Sequence, residues 1–170
     1  MEKEGGKLSF KGQPIYVGID VSKKSWQVSI HTEQFEHKTF SAPPDVEVLK
    51  NYLHRNFPQA DYQCVYEAGF TGYWIYEKFQ KYGINCLVVN SADVPTKGKE
   101  KVTKNDPTDA RKLARAIRSG DIQGIYIPSK QAQQDRSLVR TRQALVRKQR
   151  RVKNQIKSFL YFYGIPVDND

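Results

Sequence analysis

The chain has 170 residues, the usual size of one domain, and its 38% hydrophobic and 27% charged residues are typical of a globular protein and exclude a disordered one. Its formal net charge of +10 is concentrated in residues 97–157, where 18 Lys and Arg accompany 5 Asp and Glu, so we expect a polyanionic partner; the alternative is a solvated surface tuned for solubility. No apolar run approaches the ~20 residues that cross a bilayer and the N-terminus has no apolar signal core, so we expect a cytoplasmic protein without membrane contact.

The first half of the chain predicts three antiparallel strands. Residues 1–13 are polar and predict a loose tail. The segment IYVGIDVS is apolar at every second position and breaks at the turn 20–22. Trp26, Val28 and Ile30 alternate with polar residues in a second strand, and residues 35–40 predict a third. Short polar turns between these strands indicate a meander.

Strands and helices then alternate. Pro43 and Pro44 open a helix that runs to about Arg55, and YQCVY at 62–66 predicts a buried strand. A second helix from Trp74 ends at Gly83, and an apolar strand follows at 84–89. This alternation predicts parallel pairing, so we expect an α/β fold with a mixed sheet flanked by helices. The cysteines in these strands, Cys64 and Cys86, lack metal-ligand spacing and are expected to be reduced core residues.

The C-terminal part predicts two helices. After a polar loop at 90–105, a helix is expected from Pro107 to Ser119, ending at Gly120. A long helix should span about 131–163. Its apolar heptad positions are Leu138, Leu145, Val152 and Phe159. They predict a partial coiled-coil seam and at least a homodimer, unless the helix folds back and buries the seam within its own chain.

Four carboxylates fall at the ends of predicted elements. Asp20 and Glu67 end strands, whereas Asp106 and Asp109 begin a helix three residues apart, on one helical face. Each has an ordinary structural explanation, as a turn residue, a solvent-facing side chain, an N-cap or a first-turn acid. Together they are the oxygen ligands that two Mg²⁺ or Mn²⁺ ions require for phosphodiester chemistry.

The stretches GIDVSK (18–23), YEAG (66–69) and KNDPTDAR (104–111) resemble the N-terminal domain of DEDD-type insertion-sequence transposases, relatives of the Piv-type DNA invertases. The resemblance runs from about Tyr16 to Gly164. It implies an RNase H-like (RuvC-like) fold in which Asp20, Glu67, Asp106 and Asp109 are the catalytic acids and hold the metal ions. The turn AGFTG after Glu67 departs from the shorter A-T/S-G common in relatives.

The resemblance also implies an organisation and a function. Residues 14–128 would form the RuvC-like catalytic domain, 129–163 the long basic helix, and 164–170 a tail leading to a C-terminal domain with a serine nucleophile. The expected activity is cleavage and strand transfer of DNA in a bacterial or archaeal nucleoid, with a structured guide RNA as a further partner. The alternatives are a Holliday-junction-resolvase-like nuclease and a nucleic-acid-binding, oligomerising module that is inactive without its C-terminal half.

Basic residues surround the last two acids and continue along the long helix, where we expect contacts to phosphates. A solvated helix flank is the alternative. The expected contacts are Lys97, Lys99, Lys101, Lys104, Arg111, Lys112, Arg115, Arg118, Arg147 and Arg151. His31, His37 and His54 lack ligand spacing and are expected at the surface. The aromatic residues Phe70, Tyr73, Trp74 and Tyr76 are expected in the core, and not in a base-stacking platform.

Overall fold

The structure is a computed structural model that describes residues 3–4, 7–8, 10–95 and 106–166, with side chains described for 10–95 and 108–166. The chain divides into two compact units, Met1–Ile127 and Pro128–Asp170, which we call the sheet unit and the helical unit.

The secondary structure follows the predicted order. The strands are β1 (Lys3–Glu4), β2 (Lys7–Leu8), β3 (Pro14–Val21), β4 (Trp26–His31), β5 (Glu36–Ala42), β6 (Asp61–Glu67) and β7 (Asn85–Val89). The helices are α1 (Val46–Asn56), α2 (Trp74–Lys81), α3 (Asp106–Ser119) and α4 (Lys130–Phe162), and a short 3-10 helix covers Ser91–Asp93. These bounds differ from the predicted ones by one or two residues at most ends.

Five strands form one mixed sheet in the order β5-β4-β3-β6-β7. The pairs β5–β4 and β4–β3 are antiparallel, whereas β3–β6 and β6–β7 are parallel. The short strands β1 and β2 form a separate antiparallel pair. The prediction of an antiparallel meander followed by parallel strands is therefore confirmed.

Helices cover both faces of this sheet. On one face Ile15, Val17 and Ile19 of β3 are buried in the main core. Side chains from α1 and α2 complete that core: Val46, Leu49, Leu53, Ile75 and Phe79. On the other face α3 packs over a second apolar cluster. Its members are Val65, Val89, Val94, Leu113, Ala116 and Ile122. The result is three layers, with β3 in the middle of the sheet.

Local sequence explains where the helices start and stop. The Asp45 carboxylate caps α1 by accepting a hydrogen bond from the Glu47 amide at 2.8 Å. Lys78 of α2 donates to the same carboxylate at 2.9 Å. Gly83 follows α2 with φ of 69°, as the predicted left-handed end of that helix requires.

The helical unit consists mainly of α4, a helix of 33 residues whose N-cap is Ser129. Its described side chains include no buried residue. The heptad residues Leu138, Leu145, Val152 and Phe159 are all more than half exposed. The long helix is thus as predicted, and its pairing with a second copy stays a prediction. None of the described helices is long and apolar enough to cross a membrane.

Candidate metal and nucleic-acid site

Asp20 and Glu67 lie side by side at one edge of the sheet. Ile19 of β3 is paired with Tyr66 of the parallel strand β6, and each carboxylate is the next residue in its strand. Side chains alternate along a strand, so Asp20 shares a face with Gly18, and Glu67 shares that same face with Val65. This is the face that α3 covers. Both acids are partly buried there.

The N-terminal half of α3 lies over Gly18 of β3, two residues before Asp20. Ala110 and Ala114 lie over Gly18 of β3. The charges of Arg115 and Arg118, further along the helix, act on His31, which is paired with Tyr16 nearer the start of β3. Ala110 directly follows Asp109 in the helix, so Asp109 is one residue from a position of α3 that contacts Gly18, and Asp106 is the first residue of the same helix.

The glycine of the GID motif sets how closely the helix approaches. A Cβ atom at Gly18 would lie 2.1 Å from the carbonyl oxygen of Ala110 and 2.4 Å from the amide nitrogen of Ala114. No side chain fits in that space, so helix and strand are in backbone contact. Because Gly18 is two residues before Asp20, this contact sets the distance between α3 and the sheet close to the candidate site.

The four predicted ligands differ in what the structure describes of them. The Asp109 carboxylate accepts a hydrogen bond from Lys112 Nζ at 2.8 Å, with the two side chains 28% and 13% exposed. Asp106 is the first residue of α3, and its side chain lies outside the described residues. Within the described side chains no three His, Cys, Asp or Glu residues are grouped as a metal site. Asp20 and Glu67 are thus at one edge, and Asp109 has a lysine as its ionic partner.

A polar network lies on the same face and ties α3 to the antiparallel half of the sheet. Arg111 Nε donates to Glu36 Oε1 at 2.7 Å and to Thr39 Oγ1 at 3.2 Å. Thr39 Oγ1 is 2.9 Å from both Glu36 Oε1 and Ser29 Oγ. Burial opposes ionisation of Glu36, but the hydrogen bonds from Arg111 and Thr39 outweigh it and lower the pKa of this carboxyl group.

His31 belongs to this network, and the prediction that it lies at the surface is wrong. Its residue is 1% exposed, with Nε2 3.1 Å from Ser29 Oγ and Nδ1 without a hydrogen-bond partner among the described residues. Burial lowers the pKa of His31; Glu36, at 4.0 Å, raises it, and the nearby arginines lower it further. The alternation in β4 indicated an outward face for His31, and no local signal shows that α3 covers it. The prediction is correct for His37 and His54, which are exposed.

The predicted phosphate contacts fall into four groups. Arg111 and Lys112 have acidic partners within the protein, as described above. Lys112 also lines a cavity of about 300 Å³ together with Arg115, Arg118 and Ser119. Arg147 and Arg151 lie along a shallow groove on the surface of α4. The remaining four, Lys97, Lys99, Lys101 and Lys104, lie outside the described residues.

The aromatic residues after Glu67 are only partly in the core. Tyr73 and Tyr76 pack against it, in keeping with the prediction. Phe70 and Trp74 are 65% and 43% exposed, so the core prediction is wrong for them. The prediction assumed helical spacing across residues 70–74, but α2 begins only at Trp74.

Comparison with known proteins gives consistent matches. Residues 17–165 match a family model described as transposase, of the DEDD type named for the insertion sequence IS110. The chain is 30% identical over 165 residues to the putative transposase y4qE of Sinorhizobium fredii, covering 94% of this chain and 42% of the relative. It is 32% identical over 145 residues to the transposase for insertion sequence element IS1533 of Leptospira borgpetersenii, covering 77% and 39%. The chain therefore spans about two fifths of the length of these relatives.

Proposed function

Because the chain belongs to the IS110-type DEDD transposases, we propose that it is the part of a transposase that carries metal-dependent cleavage and strand transfer of DNA. The observation that carries this proposal is the position of Asp20 and Glu67, at one edge and on one face of adjacent parallel strands. The beginning of α3, which contains Asp106 and Asp109, is held near Asp20 by the contact of Ala110 with Gly18. Two sheet carboxylates and two helix carboxylates would then be available to one phosphodiester.

We propose that Asp20, Glu67, Asp106 and Asp109 hold two Mg²⁺ or Mn²⁺ ions. Carboxylate oxygens are the donors that these hard cations prefer, which is why the residues present suit the ions. When bound, the ions would activate the attacking oxygen and stabilise the leaving one. The chain's own contribution is to fix the carboxylates on rigid elements. The Lys112 ammonium group is paired with the Asp109 carboxylate, so Asp109 would have to release this partner in order to hold a metal ion.

We further propose that the fold belongs to the RNase H-like (RuvC-like) class, because of its strand order and the positions of the four acids. A meander of three antiparallel strands, extended by two parallel strands, puts the first and fourth strands of the large sheet next to each other. Their carboxyl ends supply the first two acids, and the helix packed beneath supplies the others. The proposed domains are residues 14–128 for this catalytic unit and 129–163 for the long helix, with 164–170 leading to a C-terminal domain.

Nucleic acid would bind along the basic residues of α3, α4 and the segment before α3. Arg115, Arg118, Arg147 and Arg151 support this, because they line a cavity in the sheet unit and a groove on α4. Such cations hold the phosphates and set the register without reading the bases. The substrate would be DNA, and a structured guide RNA is a second proposed partner. A homodimer through the apolar face of α4 would bring two DNA ends together.

A second candidate is a nucleic-acid-binding module that is inactive without further domains. The ion pair between Lys112 and Asp109 favours it, as does the span of two fifths of the relatives' length. Metal-dependent nicking of DNA separates the two candidates, since a module that is inactive without further domains would not cut DNA by itself.

The test is a calorimetric titration of the whole chain with Mn²⁺, combined with nicking of supercoiled DNA. Asp20→Asn and Glu67→Gln should each abolish or strongly weaken Mn²⁺ binding and nicking. Asp61→Asn is the matched control, because Asp61 is an exposed acid at the opposite end of the same strand as Glu67. Equal Mn²⁺ binding by the wild type and by Asp20→Asn would refute the metal site. Retained binding without nicking would favour the inactive module.

A further inference from the structure

Two turns meet beyond the carboxylate edge. Asp20 is followed by the turn between β3 and β4, which Ser22 closes through hydrogen bonds between its hydroxyl group and the backbone of Ser25. Glu67 is followed by the turn that leads to α2. Lys23 Nζ of the first turn lies 5.9 Å from the ring centroid of Phe70 in the second. Each of these two residues is three positions beyond its acid, at most about 10 Å along the chain.

Two large aromatic side chains are exposed at this edge. Phe70 is 65% exposed, and Trp74, at the start of α2, is 43% exposed. One side of the Trp74 ring lies against the fully buried Trp26, with centroids 6.0 Å apart. Trp26 is itself paired with Val21, the residue after Asp20. The core thus holds the Trp74 indole in place and leaves part of it in solvent, at the end of the sheet where β3 finishes.

Cations accompany the aromatic rings. Lys23 and Lys24 are both exposed in the β3–β4 turn. The combination of exposed rings and exposed ammonium groups suits a ligand with flat apolar faces and negative charge. Bases joined by phosphates have this chemistry, because stacking on aromatic rings tolerates any base and the phosphates attract the lysines.

We propose that Phe70 and Trp74, flanked by Lys23 and Lys24, form a stacking site for an unpaired nucleotide of the substrate strand. This rests on the proposed function, since the turns that carry Lys23 and Phe70 directly follow the strands that end in Asp20 and Glu67. Stacking there holds the strand open at the reacting bond and keeps its register without base-specific hydrogen bonds. The site therefore favours single-stranded or locally unpaired nucleic acid over a closed duplex.

The tryptophan content of the chain makes the proposal directly measurable. Of the two tryptophans, Trp26 is buried and Trp74 is partly exposed. A short oligodeoxythymidine should therefore quench the fluorescence of Trp74, and a blunt duplex of equal length should quench it less. A parallel titration with an oligouridine of the same length shows whether the site prefers RNA or DNA. Unquenched fluorescence at saturating oligodeoxythymidine and oligouridine would overturn the proposal.

Affinity measurements on variants of the whole chain complete the test. Phe70→Ala and Trp74→Ala should each weaken binding of the single strand by about 10-fold, with an unchanged salt slope, because an aromatic ring releases no counterions. Phe70→Tyr and Trp74→Phe retain a ring and should retain most of the affinity. The matched control is Phe35→Ala, which removes a 54% exposed phenylalanine at the β4–β5 turn, the opposite edge of the sheet.

The two proposals can fail separately. Phe70→Ala should keep Mn²⁺ binding, and its circular dichroism should match the wild type. Wild-type affinity for the single strand in Phe70→Ala and Trp74→Ala would overturn the stacking site and leave the metal site standing. If these variants instead lose self-association while nucleotide affinity is unchanged, the aromatic rings contact a second copy of the chain and the proposal is wrong.

Discussion

Gly18 of β3 and Ala110 of α3 are in backbone contact, and a Cβ atom at Gly18 would lie 2.1 Å from the Ala110 carbonyl oxygen. The relevant property of this glycine is its lack of a side chain, because it lies within a regular strand. The contact brings the beginning of α3 down onto the sheet next to Asp20. A residue of the GID motif that is not one of the four proposed ligands thereby determines how closely α3 approaches the strand that carries Asp20.

Gly18→Ala should lower the free energy of unfolding by at least about 1–3 kcal/mol, the usual cost of overpacking a rigid site. The added methyl group meets backbone atoms, so α3 must move away from β3. Urea denaturation measures the effect, and Mn²⁺ titration should show weaker binding. Gly69→Ala is the control, because a Cβ there meets only the Glu67 carbonyl oxygen at 4.0 Å. Equal stability of the two variants would contradict the role of the contact.

Local patterns were sufficient to predict most of the fold. Strand alternation around Val17 and Val28, and the glycine after α2, identified the elements and their order, and connection lengths indicated which strands are parallel. The ends of β3 and β6 therefore located Asp20 and Glu67 before the sheet was known. The burial of His31 could not be predicted in this way, because the helix that covers it comes much later in the chain.

The ion pair of Arg111 with Glu36 should hold α3 against β5. Both side chains are close to half exposed, and water screens the attraction between their charges. We therefore expect a coupling energy of at most about 0.5–1 kcal/mol. A double-mutant cycle with Arg111→Ala and Glu36→Gln measures it by urea denaturation. Arg111→Lys keeps the charge but not the planar guanidinium donor, so it should retain only part of the stability that Arg111→Ala loses. A coupling energy of zero would mean that α3 is held by apolar packing and the Gly18 contact alone.

The pH dependence of stability should reveal the buried imidazole of His31. Burial lowers its pKa in the folded protein below the ordinary histidine value of 6.5. The unfolded chain therefore binds more protons, and the free energy of unfolding should fall as the pH drops below 6.5. The positive charges of Arg111, Arg115 and Arg118 strengthen this trend, whereas Glu36 opposes it.

Thermal unfolding between about pH 7.5 and pH 5 measures this trend, since the unperturbed imidazole titrates inside that range. His31→Leu should flatten the profile. Ser29→Ala removes the neighbouring hydroxyl group but keeps the imidazole, and should leave the slope in place. If His31→Leu and the wild type lose stability in parallel, other groups cause the decline.

The apolar face of α4 should mediate self-association. Leu145 and Val152 are seven residues apart and share one face, with more than half of each side chain exposed. Leu145→Asp combined with Val152→Asp should yield a monomer in sedimentation equilibrium. Gln143→Asp combined with Asn154→Asp is the control, because these positions are two residues away, about 200° around the helix. A monomeric wild type at tens of micromolar, roughly the range of weak association, would rule out the dimer.

Lys112 should compete with divalent metal for Asp109. Its ammonium group lies 2.8 Å from the carboxylate, with the lysine side chain only 13% exposed. Lys112→Met keeps most of the apolar stem and removes the charge, so the metal-free protein should melt at a lower temperature because the acids repel each other. Millimolar Mn²⁺ should then raise the melting temperature of this variant by more than that of the wild type.

The size of the stabilisation by Mn²⁺ follows from mass action, since a ligand at 100-fold its Kd raises the free energy of unfolding by about 2.7 kcal/mol. Removing a competing cation lowers the Kd and so increases the stabilisation at a given Mn²⁺ concentration. Lys78→Met is the matched control, because it breaks an equally short ion pair, 2.9 Å, with Asp45 at the start of α1. That variant should lose stability without any change in the Mn²⁺ effect. A smaller Mn²⁺ gain in Lys112→Met than in the wild type would mean that the lysine assists metal binding and does not compete with it.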